Sequence, residues 1–175
     1  MHKVVVLAFD EATASDVCGS ADVFSVATKS FQRPDQRPYH VTVASVRGQP
    51  PNHNLSGIAI ETTPLSKIDP ASIESLIVPG GAPPHAPPVP QEVVDWFARE
   101  GGHARRLCGI CTCTFLLAGA GLISDRKVTT HWQATDALRA RQIRHCASRL
   151  TASTCMTVDC GHQAALRQEW IWHLP

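Results

Sequence analysis

The sequence predicts an α/β domain whose sheet is mostly parallel and covered on both faces. Three observations lead there. Strand-like and helix-like segments alternate along the first 110 residues. Two of the strand-like runs are apolar at every position, as expected of strands buried on both sides. The residues with chemical potential, Asp16, the VPGG glycines and the cysteine of ICT, all fall just beyond strand ends, where open parallel sheets bind ligands.

The elements follow in order. KVVVLAF (3–9) is a valine-rich buried strand. SDVCGSADVFSVATKS (15–30) opens on Ser/Asp and carries Val17, Ala21, Phe24 and Val26 as a helical stripe. FQRPDQRP forms a turn-rich linker. YHVTVASV (39–46) alternates as a strand, and GIAIET (57–62) predicts another. SLIVPGG (75–81) is a buried strand ending in a glycine pair. APPHAPPVP is an extended surface spacer. EVVDWFARE (92–100) is a helix with Val93, Trp96 and Phe97 on one side, and RRLCGI (105–110) is the strand that runs into Cys111.

Bulk properties narrow the function classes. The chain has 175 residues, 43% of them hydrophobic and 18% charged, with a formal net charge of +1. That suits one domain with a sizeable core and offers no basic face for nucleic acid or anionic lipid. The N-terminal apolar run is closed by Asp10 and Glu11, too soon for a signal peptide or a membrane span, so a cytoplasmic location is expected. Seven cysteines, odd in number and irregularly spaced, read as free thiols and not as a disulfide framework.

The stretch GICTCTFLLAGAGL (109–122) raises the sharpest question. A cysteine is often only a small buried hydrophobe. At a strand-to-helix corner, however, Cys111 would be lifted out of the core beside the free N–H groups of the helix start. A thiol there is expected to have a lowered pKa and to be the most reactive of the seven.

VLAFDEATASDVCGSADVF, LIVPGG and ICTCTFLLAGAGLISDRKVTTHW together resemble the ThiJ/PfpI superfamily of class I glutamine amidotransferase-like domains. The nearest groups are the N-terminal domain of AraC-type transcriptional regulators and isonitrile hydratase. The resemblance runs from the first strand to about Ala140, and the string from Cys111 to TTHW carries most of its specificity. It implies a flavodoxin-like three-layer fold with Cys111 at a nucleophile elbow and Asp16 facing it as a proton carrier. It also implies His131 near the site; each has a plainer role as well, Asp16 as a helix cap and His131 as a structural hydrogen-bonding residue. Gly80 and Gly81 would allow close backbone approach, and the N–H groups of Gly81 and Thr112 could receive an oxyanion or carboxylate. Trp132 reads as core or interface. Two positions depart from the pattern: Cys113 stands where the family usually has glycine, and Gly19-Ser20 where it usually has Gly-Pro.

Three function classes follow. A ligand-sensing domain of regulator ancestry would bind a small metabolite in this pocket. An isonitrile hydratase-like enzyme would use Cys111 on a small electrophile, with Asp16 moving the proton. A redox-responsive thiol would be oxidised there. HWQATDAL and HVTVASVRGQP fit the regulator branch best, so the sensor is the leading expectation, without a DNA-binding module of its own and without specific DNA binding. No cofactor, metal or membrane association is expected; a homodimer is.

The tail from Arg141 onward loses the apolar pattern. Cys146, Cys155, Cys160 and His162 could be imagined as a zinc set, but no short Cys-x-x-Cys pair anchors it. Shifted by one nucleotide, with permitted codons, the tail can read RVEADRIYMHDGRLWTSGGVTAGMDLALA, which resembles the end of the regulator-type domain. Met156–Thr157 and Trp170–Ile171 force Asp, and Trp172–His173 forces Ala, each matching that pattern. Residues 1–140 are therefore expected to form the domain. Residues 141–175 are expected to be out of frame, which would uncover apolar surface and lower stability.

Overall fold

The computed structural model describes residues 1–30, 38–48, 56–81, 89–124 and 128–141, and the backbone alone of 155–159. The elements are β1 (His2–Leu7), α1 (Ala14–Lys29), β2 (Tyr39–Ser45), β3 (Thr63–Pro64) and β4 (Ser75–Val78). After these come α2 (Gln91–Glu100), β5 (Arg106–Ile110), α3 (Thr114–Gly119), α4 (Thr135–Ala140) and β6 (Cys155–Asp159). One sheet has the order β3-β2-β1-β4-β5-β6. Its first five strands are parallel, and β6 pairs antiparallel with β5.

The valine-rich runs become the centre of the sheet for the reason their composition suggests. Val4, Val6 and Leu7 of β1, Leu76 and Val78 of β4, and Leu107 of β5 are fully buried. These strands meet at Val4–Ser75, Val5–Leu76 and Leu76–Leu107, so their apolar residues stack across the sheet. β-branched side chains fit this pleated, two-sided environment. On α2, Val93, Trp96 and Phe97 form the buried stripe as expected, with the two aromatic rings edge-on at 5.2 Å.

Several expectations shift. The strand expected at 57–62 is not there; the pairing with β2 is confined to Thr63 and Pro64, where proline is tolerated at a strand edge. On α1, Val17 is buried and Phe24 packs edge-on to Tyr39 at 5.0 Å, but Val26 is exposed. Trp132 is 68% exposed and is not a core residue. The linker at 31–37 and most of the proline-rich spacer lie outside the described residues, as does the tail apart from β6. No described helix is long and apolar enough to cross a membrane.

At the starts of the central strands, polar groups tie the sheet together. His2 Nε2 lies 2.9 Å from Ser75 Oγ, its ring meets Tyr39 edge-on, and Glu74 pairs with Arg105 across to the start of β5. Burial lowers the pKa of His2, outweighing the nearby Glu74 carboxylate, which favours the charged ring. A depressed folded-state pKa means that the unfolded chain binds the proton more readily. The contribution of His2 to stability is therefore complete above its ordinary value of 6.5 and is lost as pH falls through the lower folded value. Urea unfolding at pH 7.5 and in the window just below 6.5 should show stability falling with pH, and His2→Gln should flatten that part of the profile. An unchanged slope in the variant would assign the acid sensitivity to other groups.

Candidate functional site

Because β1, β4 and β5 run parallel, their carboxyl ends lie along one edge of the sheet. Beyond β4 the chain passes through Pro79, Gly80 and Gly81; beyond β5 it turns at Cys111. Cys111 opens a 3-10 turn, Cys111–Cys113, that leads into α3. Its backbone has φ +56°, a left-handed conformation that a residue with a Cβ adopts only at a cost of roughly 1–3 kcal/mol. Glu11, in the turn between β1 and α1, is the second such residue, at φ +66°. Both strained corners border the glycine pair: a Cβ added at Gly81 would lie 3.3 Å from the Glu11 carbonyl oxygen and 3.3 Å from the Phe9 ring.

Gly80 is where the site closes. A Cβ there would stand 2.7 Å from Cys111 Cβ, 3.0 Å from Asp16 Oδ2 and 3.1 Å from Cys111 Sγ. Only glycine lets the end of β4 pass between the thiol and the carboxylate. Asp16, in the first turn of α1, is not the helix cap. The N-cap is Thr13, which makes no side-chain cap bond, and Asp16 Oδ2 instead accepts the Gly80 N–H at 2.9 Å. The Thr13 N–H donates back to the Gly80 carbonyl at 2.9 Å, so α1 is pinned to β4 on both sides of the carboxylate.

Thr112 and Gly81 are bound to each other. The Gly81 N–H donates to Thr112 Oγ1 at 3.1 Å, and the Thr112 hydroxyl donates to the Gly81 carbonyl at 3.1 Å. Both glycine N–H groups are thus committed within the protein. Thr114 and Thr130 fix the corner from behind, Thr114 donating to the Thr129 carbonyl at 2.6 Å and Thr130 to the Cys111 carbonyl at 3.4 Å. His131 Nδ1 accepts the Gln133 N–H at 3.3 Å and caps the turn before α4. That leaves the imidazole close enough to favour a charged Asp16. Cys113 is buried with φ −53°, so the position usually held by glycine does not demand a left-handed backbone here.

The expectation of an acidic thiol is corrected. Burial pushes the Cys111 pKa up, the Asp16 carboxylate pushes it further, and the Thr112 N–H, which favours the thiolate, does not offset them. The helix following the corner is only six residues long and begins with a 3-10 turn, so its end field is small. Asp16 is raised as well, chiefly by burial, against the opposing Gly80 N–H and His131. Burial is thus the largest cause of the upward shift at both the thiol and the carboxyl. The site residues named from sequence therefore meet at one edge, while Glu11, Thr13, Thr114 and Thr130 went unnoticed. All four lay inside quoted motifs, but their types and spacing carried no signal of these roles; a left-handed glutamate leaves no mark in a sequence. Among the described residues no group of three or more His, Cys, Asp or Glu could hold a metal ion.

Comparison with known proteins places these features in context. The DJ-1/PfpI family model matches residues 2–159. A Streptomyces lividans protein described as "Uncharacterized protein in cpoL 5'region" is 34% identical over 142 residues, covering 80% of this chain and 94% of that protein. Isonitrile hydratase of Pseudomonas putida is 30% identical over 66 residues, only 38% of this chain and 29% of the hydratase. Among solved structures, an AraC family transcriptional regulator from Pseudomonas putida superposes with a TM-score of 0.62 at 20% identity, covering 87% of this chain and 80% of that one. Drosophila melanogaster DJ-1beta does so with a TM-score of 0.57 at 20% identity, covering 82% and 72%. At such identities the structural matches speak to the fold.

The thiol environment predicts an order of reactivity. With iodoacetamide at neutral pH, exposed Cys18 should be modified ahead of half-buried Cys111. Asp16→Asn removes the carboxylate charge and should move the pH midpoint of Cys111 alkylation downward. Peptide mapping by mass spectrometry reads both; Cys111 labelling first in the unaltered protein would contradict the raised pKa.

Proposed function

The chain belongs to the DJ-1/PfpI family, and from that premise we propose that it is a ligand-sensing domain related to those of AraC-type regulators, binding a small molecule at the Cys111–Asp16 edge without turning it over. The observation that carries this reading is the commitment of the polar groups. An acyl-transfer site keeps donors free and aimed at the developing oxyanion. Here the Gly80 N–H serves Asp16 and the Gly81 N–H serves Thr112. The thiol is held neutral by burial and by the carboxylate beside it. An edge so arranged is suited to recognition: Cys111, Asp16 and Thr112 supply polar groups, with the Phe9 ring beside Gly81.

An isonitrile hydratase-like activity is the second reading, supported by the approach of Cys111 and Asp16 to one point beside Gly80 and by the partial similarity to that enzyme. In that case Asp16 would take the thiol proton as sulfur attacks. A cytoplasmic location and a homodimer belong to the proposal. So does the out-of-frame reading of residues 141–175, which sequencing of the gene tests directly.

A panel of small amides, isonitriles and amino-acid derivatives, followed by calorimetry and product analysis, separates the two readings. The expected result is reversible binding with neither product nor a Cys111 adduct; product formation abolished by Cys111→Ser would establish the enzyme instead. Asp16→Asn keeps an acceptor for the Gly80 N–H, so the melting temperature should hardly move. The charge-assisted contact to ligand is lost, and affinity should fall roughly tenfold. A large loss of stability with unchanged affinity would leave Asp16 a purely structural part.

A further inference from the structure

The Cys111 corner is held by a residue that neither reading of the site employs. Residues 128–130 run beside the start of α3, because the Thr114 hydroxyl donates to the Thr129 carbonyl at 2.6 Å. One residue on, the Thr130 hydroxyl donates to the Cys111 carbonyl at 3.4 Å. Thr114 is 1% exposed and Thr130 4%, so each hydroxyl has to find its partner inside the protein. The shorter bond anchors the segment, and the longer one reaches the corner itself.

That second bond acts on more than an oxygen. The Cys111 carbonyl and the Thr112 N–H belong to one planar peptide group and point to opposite sides of it. A hydroxyl that holds the carbonyl on one side therefore aims the N–H at the other. There the Thr112 N–H bonds the Cys111 thiol and favours its charged form. Of the Gly80, Gly81 and Thr112 N–H groups, the first serves Asp16 and the second Thr112 Oγ1, so it is the third that faces sulfur. Hydrogen bonds in series polarise one another, and an O–H on the carbonyl makes the N–H beyond it a better donor. The strained backbone of Cys111, at φ +56°, needs such support, because it persists only where its neighbours over-determine it.

We propose that Thr130 is a positioning residue for Cys111: through the peptide group between Cys111 and Thr112 it aims the Thr112 N–H at sulfur, and so governs how readily the thiol reacts. The assignment holds whether the edge binds a ligand reversibly or turns it over. The ionisable groups facing this thiol are Asp16, from α1, and beyond it His131; both are kept in the Thr130 and Thr114 variants that follow.

Alkylation of Cys111 by iodoacetamide on the full chain, followed across pH by peptide mapping, tests this. Thr130→Val removes the hydroxyl and keeps the shape of the side chain. The alkylation midpoint should move to higher pH, opposite to the effect of Asp16→Asn, and the rate at neutral pH should fall roughly threefold. Thr130→Ser retains the hydroxyl and should restore both. Thr114→Val breaks the anchoring bond without touching the peptide group between Cys111 and Thr112, so it should lower the melting temperature and leave the midpoint where it was. An unmoved midpoint in Thr130→Val, a serine variant that fails to restore it, or an equal shift in Thr114→Val would overturn the proposal.

Discussion

Everything at the carboxyl edge depends on the absence of one side chain. Gly80 lets β4 end between the corner of β5 and the first turn of α1, at a separation that no Cβ could share. Three elements distant in sequence are locked by that approach: β4 through Gly80, α1 through Asp16 and Thr13, and β5 through Cys111. The lock is polar as well as steric, since the Gly80 N–H and carbonyl are each bonded to the α1 segment. The two left-handed residues, Glu11 and Cys111, are the cost of routing the chain around this point. Backbone strain of that kind persists only where the surrounding packing over-determines it.

The same closeness governs the electrostatics. A strand-to-helix corner would make a thiol more acidic if the helix end were strong and the surroundings wet. At Cys111 the helix is short, the thiol is half-buried, and its nearest ionisable neighbour is a carboxylate. Burial dominates both partners, so each retains its proton more firmly than it would in water. With the Gly80 and Gly81 N–H groups already engaged, the edge is organised around internal hydrogen bonds, and a ligand must either fit the groups that remain or displace those bonds.

The opposite edge is organised differently. There the chain holds its strands by cross-links between side chains: His2 to Ser75, and Glu74 to Arg105. Exposed ion pairs of this sort contribute little each, and the buried apolar rows above them supply most of the stability. One sheet thus presents an edge held by backbone and side-chain hydrogen bonds around Gly80 and one held by cross-links between side chains.

The architecture was legible in the sequence because burial on both faces of a parallel sheet demands continuous apolar runs. KVVVLAF, SLIV and RLCGI could hardly be read otherwise, and the stripe of Val93, Trp96 and Phe97 was equally plain. The gathering of Asp16, Gly80 and Cys111 was legible for a related reason: parallel strands must end at a common edge. Short pairings escaped, since Thr63–Pro64 has too few residues to make a pattern, and the apolar GIAIET before it drew the assignment instead. The protonation of Cys111, the self-bonding of Gly81 and Thr112, and the left-handed Glu11 were decided only by the tertiary structure. Each depends on distances between segments far apart in the chain. A pKa, a satisfied donor and a strained φ are properties of surroundings, and folding alone determines which surroundings a residue receives.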